Sequence, residues 1–115
     1  MTTHEIDLDR EDELPEGEAL LAEAFAACLL RSLGSAAAHL RFQYDGASVH
    51  VAVERHGASP LLTRLTYDLE LATSESPTRA ELLHRSLLRY GPVTSTLAKA
   101  VRIEGSVRLR EPAVV

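Results

Sequence analysis

The sequence is poor in several residue types. Of its 115 residues only one is cysteine, Cys28, none is tryptophan, and aromatic residues make up 4%. A single cysteine excludes an intramolecular disulfide, and therefore the disulfide-rich folds of small secreted proteins. We expect the protein to lie in a reducing, cytoplasmic compartment. The scarcity of aromatic side chains removes the stacking platforms that single-stranded nucleic-acid binders use.

Positive charge is also scarce and is unevenly placed. Twelve Lys and Arg residues face 17 Asp and Glu residues, a formal net charge of -5. Residues 1–23 hold nine carboxylates against Arg10 alone, whereas residues 79–110 hold seven cations against two carboxylates. Because no basic run is contiguous, we expect no nucleic-acid partner.

Long apolar runs and targeting signals are missing as well. The longest apolar stretch, residues 24–30, is far shorter than the roughly 20 residues that span a bilayer, and the first residues lack a cationic and apolar signal pattern. We therefore predict no membrane partner. The chain is predicted to consist of an acidic leader at residues 1–15 and a single domain at residues 16–115.

A strong helix pattern opens the predicted domain. The segment GEALLAEAFAACLLRSL, from residue 17 to residue 33, carries apolar side chains almost all round, which predicts a helix buried between layers or between subunits. Gly34 could end this helix. We prefer a helical continuation toward Tyr44 that stops at Asp45 and Gly46; the alternative is a tight hairpin turn at Asp45 and Gly46 between two strands.

Alternating apolar and polar residues predict three strands. They lie at 47–54, 61–71 and 101–109, with Val49, Val51 and Val53 on the inner face of the first. Helical patterns at residues 74–90 and 92–100 separate the second strand from the third. The predicted fold is therefore α+β, with the long helix packed on an antiparallel sheet.

The helix at residues 74–90 carries a start signal of its own. Pro77 suits a first helical turn, and Thr78 and Glu81 have the spacing of a capping box. Three leucines are predicted to face the core, namely Leu82, Leu83 and Leu87. Gly91 is predicted to end the helix.

Most signatures of catalysis are absent from the sequence. It contains no phosphate-binding loop, no dinucleotide fingerprint, no HExxH and no CxxC, so we expect neither a cofactor nor a metal site. Cys28 is the one evident nucleophile. An apolar helix would raise the pKa of its thiol and leave it an inert packing residue, whereas Arg31, three residues further on, would stabilise a thiolate if both side chains faced one cleft.

The order of these elements and two local strings resemble a known family. The AACLL-containing helix, two alternating strands, a helix ending in LRYGPVTSTL and a closing VRIEGSVRL strand are similar to the OsmC/Ohr family, over residues 16–110. The resemblance implies an OsmC-like fold, an intertwined homodimer with the site at the subunit interface, and thiol-dependent reduction of organic hydroperoxides. Bacterial members of the family act in the oxidative stress response.

The resemblance also assigns roles to individual residues. Cys28 matches the peroxidatic cysteine, and Glu18 matches the glutamate that helps hold a catalytic arginine. Gly91 occupies the place of the second, resolving cysteine, and Arg10 is a poor substitute for the arginine that a longer N-terminus supplies. Because a sulfenic acid must condense with a thiol to be recycled, these departures imply a sluggish one-Cys enzyme that uses an external thiol.

Two functions thus follow from the sequence. The first is a weak or degenerate one-Cys peroxidase whose site residues are Cys28, Glu18 and Arg31. The alternative is a non-catalytic homologue, a structural or small-molecule-binding dimer in which Cys28 only fills space. The reactivity of the Cys28 thiol separates the two.

Overall fold

In a computed structural model, residues 16–89 and 91–112 can be described, and the predicted leader at residues 1–15 lies outside them. The described part contains three helices and three strands. In chain order they are α1 (Gly17–Leu40), β1 (Gly46–Arg55), β2 (Leu62–Ala72), α2 (Pro77–Leu87), α3 (Pro92–Leu97) and β3 (Arg102–Arg110). The α+β class predicted from the sequence is confirmed.

Helix α1 runs without interruption through Gly34. This glycine is exposed and has open space where a Cβ would point, so it only weakens a helix that the following SAAAHL segment continues. The helix ends at Leu40, because Arg41 adopts the left-handed conformation with φ 54°. The predicted continuation beyond Gly34 is therefore confirmed but ends four residues before Tyr44. The alternative hairpin at Asp45 and Gly46 is wrong.

One side of α1 packs against the sheet. Its buried residues are Phe25, Leu29, Ser32, Leu33, Ala36 and Ala37. By length and composition alone α1 could cross a membrane, but this packing is that of the core helix of a globular domain. The all-round burial expected of α1 is not reached within one chain, since Leu20 and Leu30 remain 38% exposed.

The sheet is mixed rather than antiparallel throughout. Its strand order is β1-β2-β3; β1 pairs antiparallel with β2 as predicted, whereas β3 pairs parallel with β2. A parallel partner needs a long crossover, which α2 and α3 provide. The antiparallel prediction for the last strand is therefore wrong, although its alternating pattern located it correctly.

The two faces of the sheet differ in polarity. The inner face of β2 buries Leu65, Tyr67, Leu69 and Leu71 against α1 and α2. On the outer face Arg64 contacts Glu54 of β1 and Glu104 of β3. These ion pairs are well exposed to solvent, so each contributes little to the stability of the fold. The strand pattern read from the sequence is confirmed on both faces.

Helix α2 begins at Pro77, whereas the predicted helix covered residues 74–90. Ser76 is its N-cap, and the Ser76 hydroxyl accepts a hydrogen bond from the backbone N–H of Arg79. The capping box proposed for Thr78 and Glu81 is therefore wrong, since Thr78 already lies inside the helix. Leu83 and Leu87 are buried as predicted, but Leu82 is 44% exposed.

A tyrosine and a histidine hydrogen bond at the junction of α2 with the sheet. The Tyr67 hydroxyl is within hydrogen-bond distance of Nε2 of His84, and the two rings meet edge to face. Gly105 makes room for the phenol ring, because a Cβ there would lie 2.0 Å from it. Burial and the charge of Glu81 raise the pKa of Tyr67 to about 12.

Burial of His84 makes the free energy of unfolding depend on pH. Burial lowers the pKa of His84 below its ordinary 6.5, more than the charge of Glu81 raises it. As the pH falls, His84 therefore takes up a proton in the unfolded chain before it does so in the folded protein. The contribution of neutral, buried His84 to the free energy of unfolding is complete above pH 6.5 and is lost as the pH falls through the folded pKa. The loss is at most about 1.4 kcal/mol per pH unit.

We expect urea unfolding of the wild type to become steadily easier as the pH falls below about 6.5, and His84→Gln to remove this part of the slope. His56→Gln, in an exposed loop, is the control and should retain the slope. Equal pH profiles for the wild type and His84→Gln would contradict the effect.

Candidate functional site

Cys28 lies on the flank of α1, between its buried and its exposed side. The thiol is partly buried, and its Sγ is 3.6 Å from Oγ1 of Thr94, a residue 66 positions away in α3. Helix α1 thus supplies the thiol and the start of α3 faces it.

The start of α3 approaches Cys28 closely because residue 91 is glycine. Gly91 is the N-cap of α3 with φ 96°, and Pro92 occupies the first turn. A Cβ at residue 91 would lie 2.6 Å from Sγ of Cys28 and 2.8 Å from Oγ of Ser32. Any side chain at residue 91 would therefore collide with the thiol. The prediction that Gly91 ends α2 is wrong, because α2 ends at Leu87. Gly91 instead sets the approach of α3.

Two opposing effects act on the pKa of the Cys28 thiol. Burial raises this pKa, and hydrogen bonds to the sulfur lower it by more. The largest lowering comes from the backbone N–H and the hydroxyl of Thr94, followed by the N–H of Val93 and the hydroxyl of Ser32. The net result is a pKa below the ordinary value, which increases the thiolate fraction at neutral pH.

The sequence left the sign of this shift open between an apolar helix that raises the pKa and Arg31 that lowers it, and the hydrogen bonds favour the lowered value. The sequence reasoning weighed only neighbours on α1 and missed Thr94 and Val93. Pro92 after Gly91 indicated a helix start, whose free N–H groups favour an anion. Nothing local in the sequence showed that this start faces Cys28.

Arg31 and Cys28 share a pocket, as their spacing on α1 allowed. The pocket has a volume of about 290 Å³. Its lining consists of Cys28, Arg31, Ser32, Ser35, Gly91 and Pro92. Within residues 16–89 and 91–112, no three His, Cys, Asp or Glu side chains lie together as a metal site would require.

Glu18 does not reach this pocket within the chain. It lies in the first turn of α1, ten residues before Cys28 and so about 15 Å away along the helix axis. Its carboxylate pairs instead with Arg55 at the end of β1, at 3.2 Å. The structure thus brings Cys28 and Arg31 together and leaves Glu18 apart, and Arg10 lies outside the described residues.

Replacing Thr94 by valine tests the hydrogen bonds to the thiol. Valine has nearly the same shape but no hydroxyl, so we expect a higher pKa of Cys28 and alkylation by iodoacetamide at pH 7 that is about three- to tenfold slower. Thr96→Val, at an exposed position of the same helix, should alkylate like the wild type. An unchanged rate in Thr94→Val would show that the hydroxyl does not stabilise the thiolate.

A second, apolar groove adjoins the thiol pocket at Pro92. It has a volume of about 330 Å³. Its lining consists of Leu21, Pro92, Val93, Thr96 and Leu97. The Cys28 region therefore has a polar side near Arg31 and an apolar side between α1 and α3.

Solved structures with the same fold carry related names. An OsmC-like protein from Mycoplasma pneumoniae superposes with a TM-score of 0.75 at 19% identity, covering 87% of this chain and 76% of the other. An organic hydroperoxide resistance protein from Legionella pneumophila gives a TM-score of 0.73 at 18% identity, covering 84% and 71%. The hydroperoxide resistance protein OhrB of Bacillus subtilis gives 0.65 at 15%, covering 90% and 76%.

The sequence itself identifies the family. No curated protein matches it. The sequence pattern of the OsmC-like protein family, however, matches residues 10–106, which is most of the chain and includes Cys28 and the start of α3. The resemblance inferred from the residues is thereby confirmed: the chain belongs to the OsmC-like protein family.

Proposed function

We propose that this protein is a one-Cys, thiol-dependent peroxidase that reduces organic hydroperoxides, with Cys28 as the nucleophile. The observation that carries the proposal is a partly exposed thiol whose Sγ lies 3.6 Å from Oγ1 of Thr94 at the start of α3. The thiolate is the reactive form of cysteine, and it is favoured here by hydrogen bonds at an open pocket. Structural neighbours named as organic hydroperoxide resistance proteins support the same chemistry.

The reaction needs only the thiol and two substrates. The Cys28 thiolate attacks the terminal oxygen of the hydroperoxide, so that an S–O bond forms and the O–O bond breaks. The leaving alkoxide takes up a proton and departs as an alcohol. Cys28 is then a sulfenic acid, which one external thiol converts to a mixed disulfide with release of water, and a second thiol restores Cys28.

The apolar groove favours organic peroxides over hydrogen peroxide. Leu21, Val93 and Leu97 surround a space that meets the thiol pocket at Pro92. An alkyl or aryl group placed in this groove would leave its peroxide oxygen next to Cys28. Burying about two methylene groups is enough for roughly a tenfold preference.

A homodimer would complete the site. The exposed side of α1 carries Leu20, Ala24 and Ala27, which have the spacing of one helix face. A second copy packed on this face would bury it. Glu18 already holds a guanidinium, that of Arg55, and we propose that the pair acts on the thiol of the partner subunit, because it lies too far from Cys28 of its own chain.

We further propose that Arg31 contributes positive charge beside the reacting thiol. We also propose that residues 16–115 act as one domain behind an acidic leader. The third proposal is that the protein works in the cytoplasm. The pocket that Arg31 shares with Cys28 supports the first point. The single cysteine, which needs a reducing environment to stay a free thiol, supports the last.

Oxidation of the reduced protein by two peroxides tests the function. With one equivalent of cumene hydroperoxide we expect Cys28 sulfenic acid, trapped by dimedone and detected by mass spectrometry, to form about ten times faster than with hydrogen peroxide. Cys28→Ser should consume neither peroxide. If Cys28 reacts with both no faster than a free cysteine does, the protein is the non-catalytic homologue instead.

A further inference from the structure

The pocket beside Cys28 contains a positive charge that no carboxylate among residues 16–89 and 91–112 of the same chain neutralises. Arg31 is exposed, and it forms no ion pair with any described residue. Seven other described arginines are paired in this way: Arg55, Arg64, Arg79, Arg85, Arg102, Arg108 and Arg110. The pocket thus offers a guanidinium and the hydroxyl-bearing Ser35 on the same side as the thiol.

The sequence sets a chemical requirement on the same pocket. Cys28 is the only cysteine of the chain, so its sulfenic acid has no thiol of its own subunit with which to condense. Gly91, which approaches Sγ closely, has no side chain that could supply a second thiol. The second thiol must therefore come from a separate molecule, and the pocket is open at the point where that molecule has to reach Cys28.

We propose that this pocket binds the reducing thiol, and that this thiol is a small molecule with a carboxylate that Arg31 holds. A guanidinium binds a carboxylate in a fixed, two-point geometry, which would direct the thiol of the same molecule at Cys28. The volume of about 290 Å³ holds roughly ten non-hydrogen atoms, the size of an amino-acid-like thiol. This assignment rests on the proposed peroxidase function.

The two sides of the site then have separate tasks. The hydroperoxide enters with its organic group in the groove lined by Leu21, Val93 and Leu97. The carboxylate thiol enters beside Arg31 and condenses with the sulfenic acid, so that an S–S bond forms and the sulfenic hydroxyl leaves as water. A second molecule of the same thiol attacks the mixed disulfide, releases the small-molecule disulfide and restores the Cys28 thiol.

Disulfide exchange tests the pocket without any peroxide. Reduced protein is mixed with dithiodipropionate, hydroxyethyl disulfide or cystamine, which are anionic, neutral and cationic, and each rate of mixed-disulfide formation is divided by that of a neutral model thiol. We expect the anionic probe to exceed the neutral one by about fivefold and the cationic probe to be slowest. The preference should shrink in 1 M salt, where the screening length is about 3 Å.

Two arginine variants show whether the preference comes from the pocket. Arg31→Gln should abolish it. Arg41→Gln removes the same charge at the C-cap of α1, ten residues further along the chain, and should keep the preference. Equal normalised rates for the three probes, or a preference that survives in Arg31→Gln, would overturn the proposal. If the preference depends on Arg31 but cumene hydroperoxide does not oxidise Cys28, the pocket binds carboxylates beside Cys28 but does not serve a reducing thiol, and the peroxidase function fails.

Discussion

Replacing Gly91 by cysteine is expected to give a variant that closes a disulfide with Cys28 when it is oxidised. The Cβ of residue 91 would lie 2.6 Å from Sγ of Cys28, so a second sulfur starts beside the first. Bridged cysteines hold their Cβ atoms about 3.5–4.5 Å apart, which requires only a small outward movement of α3. Cumene hydroperoxide should then consume both thiols of the variant.

The stability of this variant should depend on its redox state. An L-residue at φ 96° is strained by about 1–3 kcal/mol, so the reduced form should be less stable than the wild type. The bridge closes a loop of about 60 residues, which stabilises by roughly 4 kcal/mol in the chain-entropy model and exceeds the strain. We therefore expect the oxidised variant to melt at a higher temperature than the reduced one.

Thiol counts and non-reducing gels provide the measurement. Gly17→Cys, at an open position three turns from Cys28 on the same helix, is the control and should form no intramolecular bridge. If Gly91→Cys instead keeps a sulfenic acid that dimedone traps, or loses no thiols, the arrangement of α3 against Cys28 described above is wrong.

Replacing Leu20 by glutamate is expected to convert a dimer into a monomer. Leu20 lies on the exposed apolar side of α1, where a partner subunit would bury it. A carboxylate buried there without a partner weakens association by about 3 kcal/mol or more, which is at least a hundredfold. Sedimentation velocity at micromolar concentration should show the dimer for the wild type and the monomer for Leu20→Glu.

Leu61→Glu serves as the matched control for this experiment. Leu61 is 70% exposed in the loop before β2 and is not part of the apolar face of α1, so the same substitution should leave the dimer intact. A wild type that is itself a stable folded monomer at this concentration would refute the proposed assembly, and with it the contribution of Glu18 and Arg55 to the partner's thiol.

Local patterns predicted most of the fold because local interactions determine it. The alternation of apolar and polar residues in β1 and β2 reflects one buried and one solvent-exposed face of the sheet. It located both strands to within one or two residues. The parallel direction of β3 was missed, since the same alternation suits either direction and only the crossover decides it. The helical continuation past Gly34 was predicted correctly, because a single glycine weakens a helix but does not end it.

The candidate site was only half predictable. Cys28 and Arg31 are close in sequence and on neighbouring positions of α1, so their shared pocket followed from helix geometry. The strongest hydrogen bonds that lower the pKa of the thiol come from Thr94, 66 positions away, and nothing near Cys28 signals them. The local sequence therefore left the sign of the shift open.

The long separation between Cys28 and Thr94 also has a kinetic meaning. The β1–β2 pair is local and can form early, whereas the parallel pairing of β3 and the docking of α3 close a long loop and are expected to come late in folding. Until α3 docks, Cys28 is an ordinary thiol that is mostly protonated at neutral pH. During synthesis the Cys28 thiol would thus be unreactive, and it would become reactive only when α3 docks against α1.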